Sequence, residues 1–232
     1  MNIKPVKTAL IKPGENIFEV FTESVKKLKE GSVIVISSKI VALQQNRIIN
    51  AKDFRKMLQK EAKYVSKKET AKHIHLTFTN GILIPNAGID FSNIEKGKAI
   101  LWPKNSHKAA EEFMKKTKHH YKIKHLGVLI IDSRCQMARE GTTAITLGCA
   151  GIEAVSDERK KKDLFGNKLN VTKIAVADSL ATAAHIVMGE SKERTPFAII
   201  ENAPVKFANR SERLTISPKK CLFRELYPKK LL

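Results

Sequence analysis

An α+β fold, with short strands and helices mixed rather than set in a regular βαβ succession, is predicted by three features of the chain. Strand-length segments built on apolar runs occur at residues 32–36, 124–132, where the run is Gly127 to Ile131, and 197–201. The helical patterns between them are unequal in length and spacing. Neither G-x-x-x-x-G-K-[ST] nor G-x-G-x-x-G is present, which disfavours a P-loop or dinucleotide-binding βαβ unit. Any bound nucleotide must be held by some other arrangement.

The chain opens with an extended segment ending at Ile11, and Pro13-Gly14 marks a turn. Ile17, Val20, Phe21, Val25 and Leu28 recur at helical spacing with lysines on the opposite face, so a helix over 17–28 is expected, stopped by Gly31. Residues 32–36 read as a buried strand with a polar edge, Ser37-Ser38-Lys39, followed by a second apolar stretch at 40–43. Residues 51–72, rich in Lys, Glu and Ala, read as helix. Residues 73–79 alternate as a half-exposed strand does, and Asn80-Gly81 turns it into the apolar run at 82–84. A strand is expected at 99–103, a helix from Ser106 as N-cap to about His119, and a strand at 124–132. Residues 143–155 are apolar, with Gly148 and Gly151 permitting close backbone approach or a bulge. A charged loop at 160–166 precedes the strongest helical pattern, 171–188, whose alanines let another element pack close. Gly189 ends that helix, and 197–201 is a terminal strand. The body of the fold is thus expected over 1–205, as one domain or two intimate ones. A basic segment, 206–232, shows no assignable pattern.

Composition narrows the function. With 42% hydrophobic and 28% charged residues over 232 positions, the chain is globular rather than disordered. The net charge of +20 favours phosphate-bearing or other anionic partners. The lysines are nevertheless scattered through most segments and aromatics make up only 6%, so a dedicated nucleic-acid surface is the lesser reading. Cys135, Cys149 and Cys221 show no C-x-x-C or secreted-scaffold spacing, which suits a reducing compartment. With no signal-like start and no apolar window long enough to span a membrane, the chain reads as soluble and cytoplasmic.

The candidate chemistry begins at Asn86-Ala87-Gly88-Ile89-Asp90-Phe91-Ser92-Asn93, an acid and two amides on a tight turn after an apolar strand. Asp132 ends another apolar run and is followed by Ser133. Two strand ends could therefore offer oxygen ligands to a hard cation, Mg²⁺ or Mn²⁺, although capping a turn is the commoner fate of such acids. Cys135, beside Arg134 and Arg139, reads more simply as an idle cysteine than as a nucleophile. His73 and His75 share a strand face but are more simply solvent-facing than metal-binding.

Taken in order, several segments resemble the coenzyme F420-0:γ-glutamyl ligase family. They are Ala9-Leu10-Ile11, Val35-Ile36-Ser37-Ser38-Lys39-Ile40-Val41, the stretch from Pro85 through Asn93, Ile131-Asp132-Ser133, Arg139-Glu140-Gly141, Gly148-Cys149-Ala150-Gly151-Ile152-Glu153, the stretch from Lys162 through Leu169, Val176-Ala177-Asp178 and Val187-Met188-Gly189-Glu190. The resemblance implies a two-domain α+β fold in an intertwined homodimer. It implies GTP, or else ATP, as co-substrate with Mg²⁺ or Mn²⁺, and a reaction joining L-glutamate through an amide bond to a carboxylated cofactor precursor by way of an acyl phosphate. It places the metal on Asp90, Asp132 and Ser133. The nucleotide would lie against Ala9, Leu10, Ile11, Ser38, Lys39, Asn93, Gly189 and Glu190, with the loop running on to Pro196.

The chain also departs from the family pattern. Leu43 stands where a phosphate-contacting lysine is usual, and Lys39 could replace it only if the loop is rearranged. The run after Asp132, Ser133-Arg134-Cys135-Gln136-Met137-Ala138, lacks the family's glycine, and Arg134 could supply the positive charge from a shifted position. Thr142-Thr143-Ala144 lacks an acid. These changes imply an altered acceptor, of which a folate-type acceptor is one alternative, or a binding protein that kept the fold without catalysis.

Overall fold

The computed structural model describes residues 1–71, 74–211 and 214–232. In chain order the elements are β1 (Asn2–Val6), α1 (Ile17–Ser24), β2 (Ser32–Ser37), α2 (Ser38–Gln44), β3 (Ile48–Asn50), α3 (Phe54–Glu61), β4 (Tyr64–Val65), β5 (Leu76–Thr79), β6 (Ile82–Pro85), β7 (Lys98–Ile100), α4 (Ser106–Tyr121), β8 (Leu126–Cys135), β9 (Thr142–Ile152), β10 (Ser156–Asp157), β11 (Lys173–Ile174), α5 (Val176–Met188), β12 (Phe197–Glu201) and β13 (Phe207–Ser211). The mixed α+β class is as expected.

The centre is a six-stranded sheet in the order β1-β12-β2-β8-β9-β13. Among the described residues only β2 and β8 pair in parallel within it. Strand β2 is apolar from Val33 to Ile36 because both its faces are covered. Ile34 and Ile36 face α1 and α4 through Phe21, Phe113 and Met114. Val33 and Val35 face α5 through Ala177, Leu180, Ala181 and Ala184. The alanines let α5 lie close, since a larger side chain at a fully buried alanine would overpack the interface. Gly148 serves the same end on the other face. A Cβ there would fall 2.3 Å from the carbonyl oxygen of Ser106, so the start of α4 can approach β9 only over a glycine.

Residues between α2 and α4 form a smaller layer, with β3 paired to β7 and a three-stranded sheet, β4-β5-β6. The β5–β6 turn is the expected one, with Asn80 and Gly81 both at positive φ, as a two-residue hairpin of this hand requires.

Several boundaries differ from the sequence expectation. Helix α1 stops at Ser24, where Val25 takes an extended conformation. Val25 still enters the core, so its helical spacing reports burial rather than helix. The helix expected over 51–72 is confined to a 3₁₀ turn and α3. The Lys63 and Ser66 amides bond to the carbonyls of Phe78 and Leu76, which draws Tyr64-Val65 into a strand. The N-cap of α4 is Asn105, whose side chain accepts from the Lys108 amide, rather than Ser106. The strand expected over 73–79 is realised from Leu76, and His73 lies outside the described residues. Strand β12 is not terminal. The unpatterned tail adds β13 to the sheet edge against β9. It then returns over the small layer, where Tyr227 meets Phe78 and Lys230 lies over the Tyr64 ring.

Candidate functional site

At the carboxyl end of the parallel pair, Ser37 of β2 lies opposite Ile131 of β8. There the two strands part. β2 turns into α2, while β8 runs on through Asp132 and Ser133 alongside β9. The gap beyond the carboxyl ends of parallel strands is a recurrent ligand position in α/β sheets. Here it opens into a cleft of about 410 Å³ lined by residues 8–11, Ser37, Lys39, Ile40, Leu43, Asp90, Asn93, 131–133, His185 and 188–196. Of the expected site residues, Ala9, Leu10, Ile11, Lys39, Asn93, Gly189, Glu190, Asp90, Asp132 and Ser133 all meet there. Ser38 is buried beneath the cleft rather than lining it, and its hydroxyl hydrogen-bonds Asp132.

Asp90 is positioned by a backbone exchange with Ile100, N to O at 2.9 Å and 2.8 Å, which fixes the turn after β6 to the end of β7. The Ser92 amide and hydroxyl donate to its two oxygens at 2.8 Å and 2.9 Å. Lys39 Nζ lies 2.6 Å from Oδ2. Burial pushes the Asp90 carboxyl up, but the Lys39 bond and charge together with the Ser92 donors outweigh it and hold the group below its ordinary value.

Asp132 does not end its strand, as the sequence had suggested, but sits inside β8. Its Oδ2 accepts from the Trp102 indole N–H. Burial, reinforced by the like charge of Asp90, raises its carboxyl to about 6 despite the Trp102, Ser38 and Ser133 donors. Gly88 makes the Trp102 contact possible. A Cβ on it would lie 2.2 Å from the indole nitrogen, and its φ is +72°.

Asn86 is a structural residue. Its side-chain oxygen accepts from the His75 amide at 2.9 Å, clamping the turn to β5. Asn93 reaches across the cleft and donates to the Ser191 carbonyl at 3.0 Å, tying the turn to the 189–196 loop. That loop is also held by the Thr8 amide donating to the Arg194 carbonyl at 3.0 Å and by His185 meeting Glu190. Asp178 accepts from the Thr146 amide, and Asp163 caps its own hairpin through the Phe165 and Asn167 amides, so both are structural. Cys135 is exposed and unbridged.

Two features escaped the sequence reading. The apolar pattern marks Trp102 only as part of a strand, although a lone tryptophan beside a proline is a recognisable marker. His185 is the single histidine of α5, in its last turn.

The departure at Leu43 takes a definite form. Lys39 and Leu43 are one turn apart on α2 and both line the cleft. Lys39 thus brings a cation to the cleft, paired with Asp90 at 2.6 Å. The missing glycine after Asp132 is absorbed. β8 continues straight to Cys135, and the reversal falls at 136–141, where Ala138 and Gly141 carry positive φ.

No group of three or more His, Cys, Asp and Glu side chains able to hold a metal occurs among the described residues. The pair Asp90 and Asp132 nevertheless fits a hard divalent cation in its donor chemistry. The charge of Asp90 opposes ionisation of Asp132, and both carboxylates are hard oxygen donors, as is the neighbouring Ser133 hydroxyl.

A mixed α+β body with acids and a lysine gathered at the end of a parallel strand pair has the makings of a small-molecule-binding protein with a charged cleft. Its family is definite: the chain belongs to the F420-0:gamma-glutamyl ligase family, whose model matches residues 5–202. It is similar to the coenzyme F420:L-glutamate ligase of Methanocaldococcus jannaschii, 35% identical over 212 positions and covering 83% of this chain and 84% of that protein. The protein of the same description from Methanococcus maripaludis strain S2 is 34% identical over 229 positions, covering 90% and 91%. That from Methanopyrus kandleri is 28% identical over 218 positions, covering 86% of each. The resemblance read from the motifs is borne out at the level of the family. No helix among the described residues is long and apolar enough to cross a membrane.

Proposed function

We propose that this protein is an amide ligase that joins L-glutamate to the carboxylate of coenzyme F420-0 or a related cofactor precursor, with GTP or ATP as phosphoryl donor and Mg²⁺ or Mn²⁺ as cofactor. Family membership and the description of its relatives support the class of reaction. The observation that carries the reading is the meeting of Lys39, Asp90 and Asp132, drawn from three separate segments, in one cleft.

Such a ligation proceeds by two displacements. An acceptor carboxylate oxygen attacks the terminal phosphorus, the phosphorus–oxygen bond to the nucleoside diphosphate breaks, and an acyl phosphate forms. The glutamate amine then attacks the acyl carbon, loses a proton, and inorganic phosphate departs. Neither displacement needs a protein nucleophile; both need positioning and charge neutralisation. Lys39 would place positive charge beside the phosphates. The 189–196 loop, tied by Asn93 and Thr8, would hold the nucleotide against residues 9–11 and keep water out. Asp90, Asp132 and the Ser133 hydroxyl would hold the divalent cation, whose contribution is to neutralise phosphate charge. The intertwined homodimer and the division into a body of 1–205 and a basic tail belong to the same proposal.

Calorimetric titration with GTP and with ATP in the presence of Mn²⁺, on the wild type and on Asp90→Ala and Asp132→Ala, tests the site. Metal-dependent binding lost in both variants, followed by glutamate-dependent turnover of F420-0, is the expected result. A folded wild-type protein that binds neither nucleotide sinks the ligase reading and favours the non-catalytic alternative, which the absence of a lysine at Leu43 otherwise supports.

A further inference from the structure

Beyond Asp132 the same face of β8 carries Arg134. The two residues are two positions apart on a strand, so their side chains leave the same side about 7 Å apart. Arg134 lies opposite Thr143 of β9 and is half-buried. Its Nε is enclosed without an acceptor, and among the described residues it makes no hydrogen bond or ion pair. Arg47, also half-buried, behaves otherwise. It donates to the Trp102 carbonyl at 3.0 Å and to Glu61 at 2.7 Å.

A guanidinium partly withdrawn from water and lacking an acceptor is unfavourable until an anion completes it. Its planar fork of donors matches a carboxylate better than a point charge would. Position narrows the anion further. The cleft lining includes Ile131, Asp132 and Ser133 and stops short of Arg134, so this cation stands past the acid, away from the loop proposed to hold the nucleotide.

We propose that Arg134 is a substrate-carboxylate-binding residue, gripping the carboxylate-bearing side of the ligation on the far side of Asp132 from the nucleotide. The assignment rests on the ligase reading above. Two substrates can present that carboxylate, the acceptor and L-glutamate, and they are separable by experiment.

The test uses wild type, Arg134→Gln and Arg134→Lys. Coenzyme F420-0, L-glutamate and GTP with Mn²⁺ are each titrated by calorimetry, apart from any turnover assay, and thermal unfolding is recorded alongside. Arg134→Gln is expected to weaken one carboxylate ligand by roughly 10–100-fold, with Arg134→Lys intermediate because it keeps the charge and loses the fork. GTP affinity and melting temperature should be unchanged, since Arg134 holds nothing in the fold. Loss confined to F420-0 assigns Arg134 to the acceptor, and loss confined to L-glutamate assigns it to the amine substrate. Equal behaviour of wild type and Arg134→Gln toward both carboxylates overturns the proposal. So does a loss seen only for GTP, or a lowered melting temperature with no change in carboxylate affinity. A wild type whose carboxylate binding depends on Arg134 but which forms no amide overturns the ligase reading and leaves this assignment standing.

Discussion

Replacing Asp132 by asparagine should make the protein more stable at neutral pH while destroying its proposed activity. The carboxyl is raised from 3.8 to about 6, a shift of about two units caused first by burial and then by Asp90. At about 1.4 kcal/mol per unit, the ionised form costs the fold about 3 kcal/mol. The side chain opens onto the cleft, so solvent screening makes that an upper bound and about 1–3 kcal/mol the expected range. Asparagine keeps an oxygen to accept from Trp102 and removes the charge. For a chain of this length each kcal/mol moves the melting temperature by about 2–4 °C, so a rise of about 2–12 °C is expected at pH 8. The pH dependence fixes the sign. The folded state holds this proton to higher pH than the unfolded state does, so the group's contribution to stability falls as pH rises from about 4 to about 6, then stays level. The variant should lack that decline. Thermal unfolding from pH 4 to 8 without metal or nucleotide measures it, and ligation should fall by at least about 100-fold. A variant less stable than wild type throughout, or one with the same slope, would refute the assignment of Asp132 as a strained acid kept for the site.

Lys39→Met should weaken nucleotide binding in calorimetry and, by removing the cation that holds Asp90 down, return that carboxyl toward or above its ordinary value. In the wild type the Asp90 contribution, present above about pH 4, should be lost as pH falls through the lowered value, seen as a steeper acid limb in unfolding than in Lys39→Met. Gly88→Ala places a Cβ 2.2 Å from the Trp102 indole at φ +72° and should cost about 2–4 kcal/mol in urea denaturation. Mn²⁺ should raise the melting temperature of wild type at pH 8 but not of Asp132→Asn, because a ligand that binds only the folded state stabilises it by mass action.

The parts of this structure that could be read in the sequence were those where one residue type has one physical use. Continuous apolar runs gave strands β2, β8 and β12, because a strand covered on both faces has no polar side to show. Gly148 and Gly151 announced close approach, and both stand against backbone carbonyls that leave no room for a Cβ. The misread parts were those decided by tertiary partners. Val25 and Leu28 keep helical spacing outside the helix because the core, not the helix, wants them. Tyr64-Val65 leaves a helical composition because β5 offers it a ladder. The basic tail has no pattern of its own because it is held at scattered points by Tyr64, Phe78 and β9.

The site divides in the same way. Asp90 and Asp132 could be picked out as acids following apolar runs, but their spacing in sequence says nothing of their sharing a cleft. That follows from the single parallel crossover among the described strands, which carries 88 residues from the end of β2 to the start of β8 and brings Ser37 level with Ile131. The same crossover places Leu43 and Lys39 side by side at the cleft. α2 begins directly at the strand end, so a lysine on its first turn reaches the cleft as well as one on its last, and Lys39 already does. Lys39 belongs to the segment shared with the family, so one cation stays in the site, paired with Asp90, while the charge of the usual second lysine is missing at Leu43. Arg134 stands apart from these residues, a cation whose Nε has no acceptor among the described residues. A chain that merely decayed from an active ancestor would have no reason to half-bury a guanidinium without an acceptor there, whereas one adapted to a particular carboxylate would. The Arg134 titrations thus separate adaptation from decay.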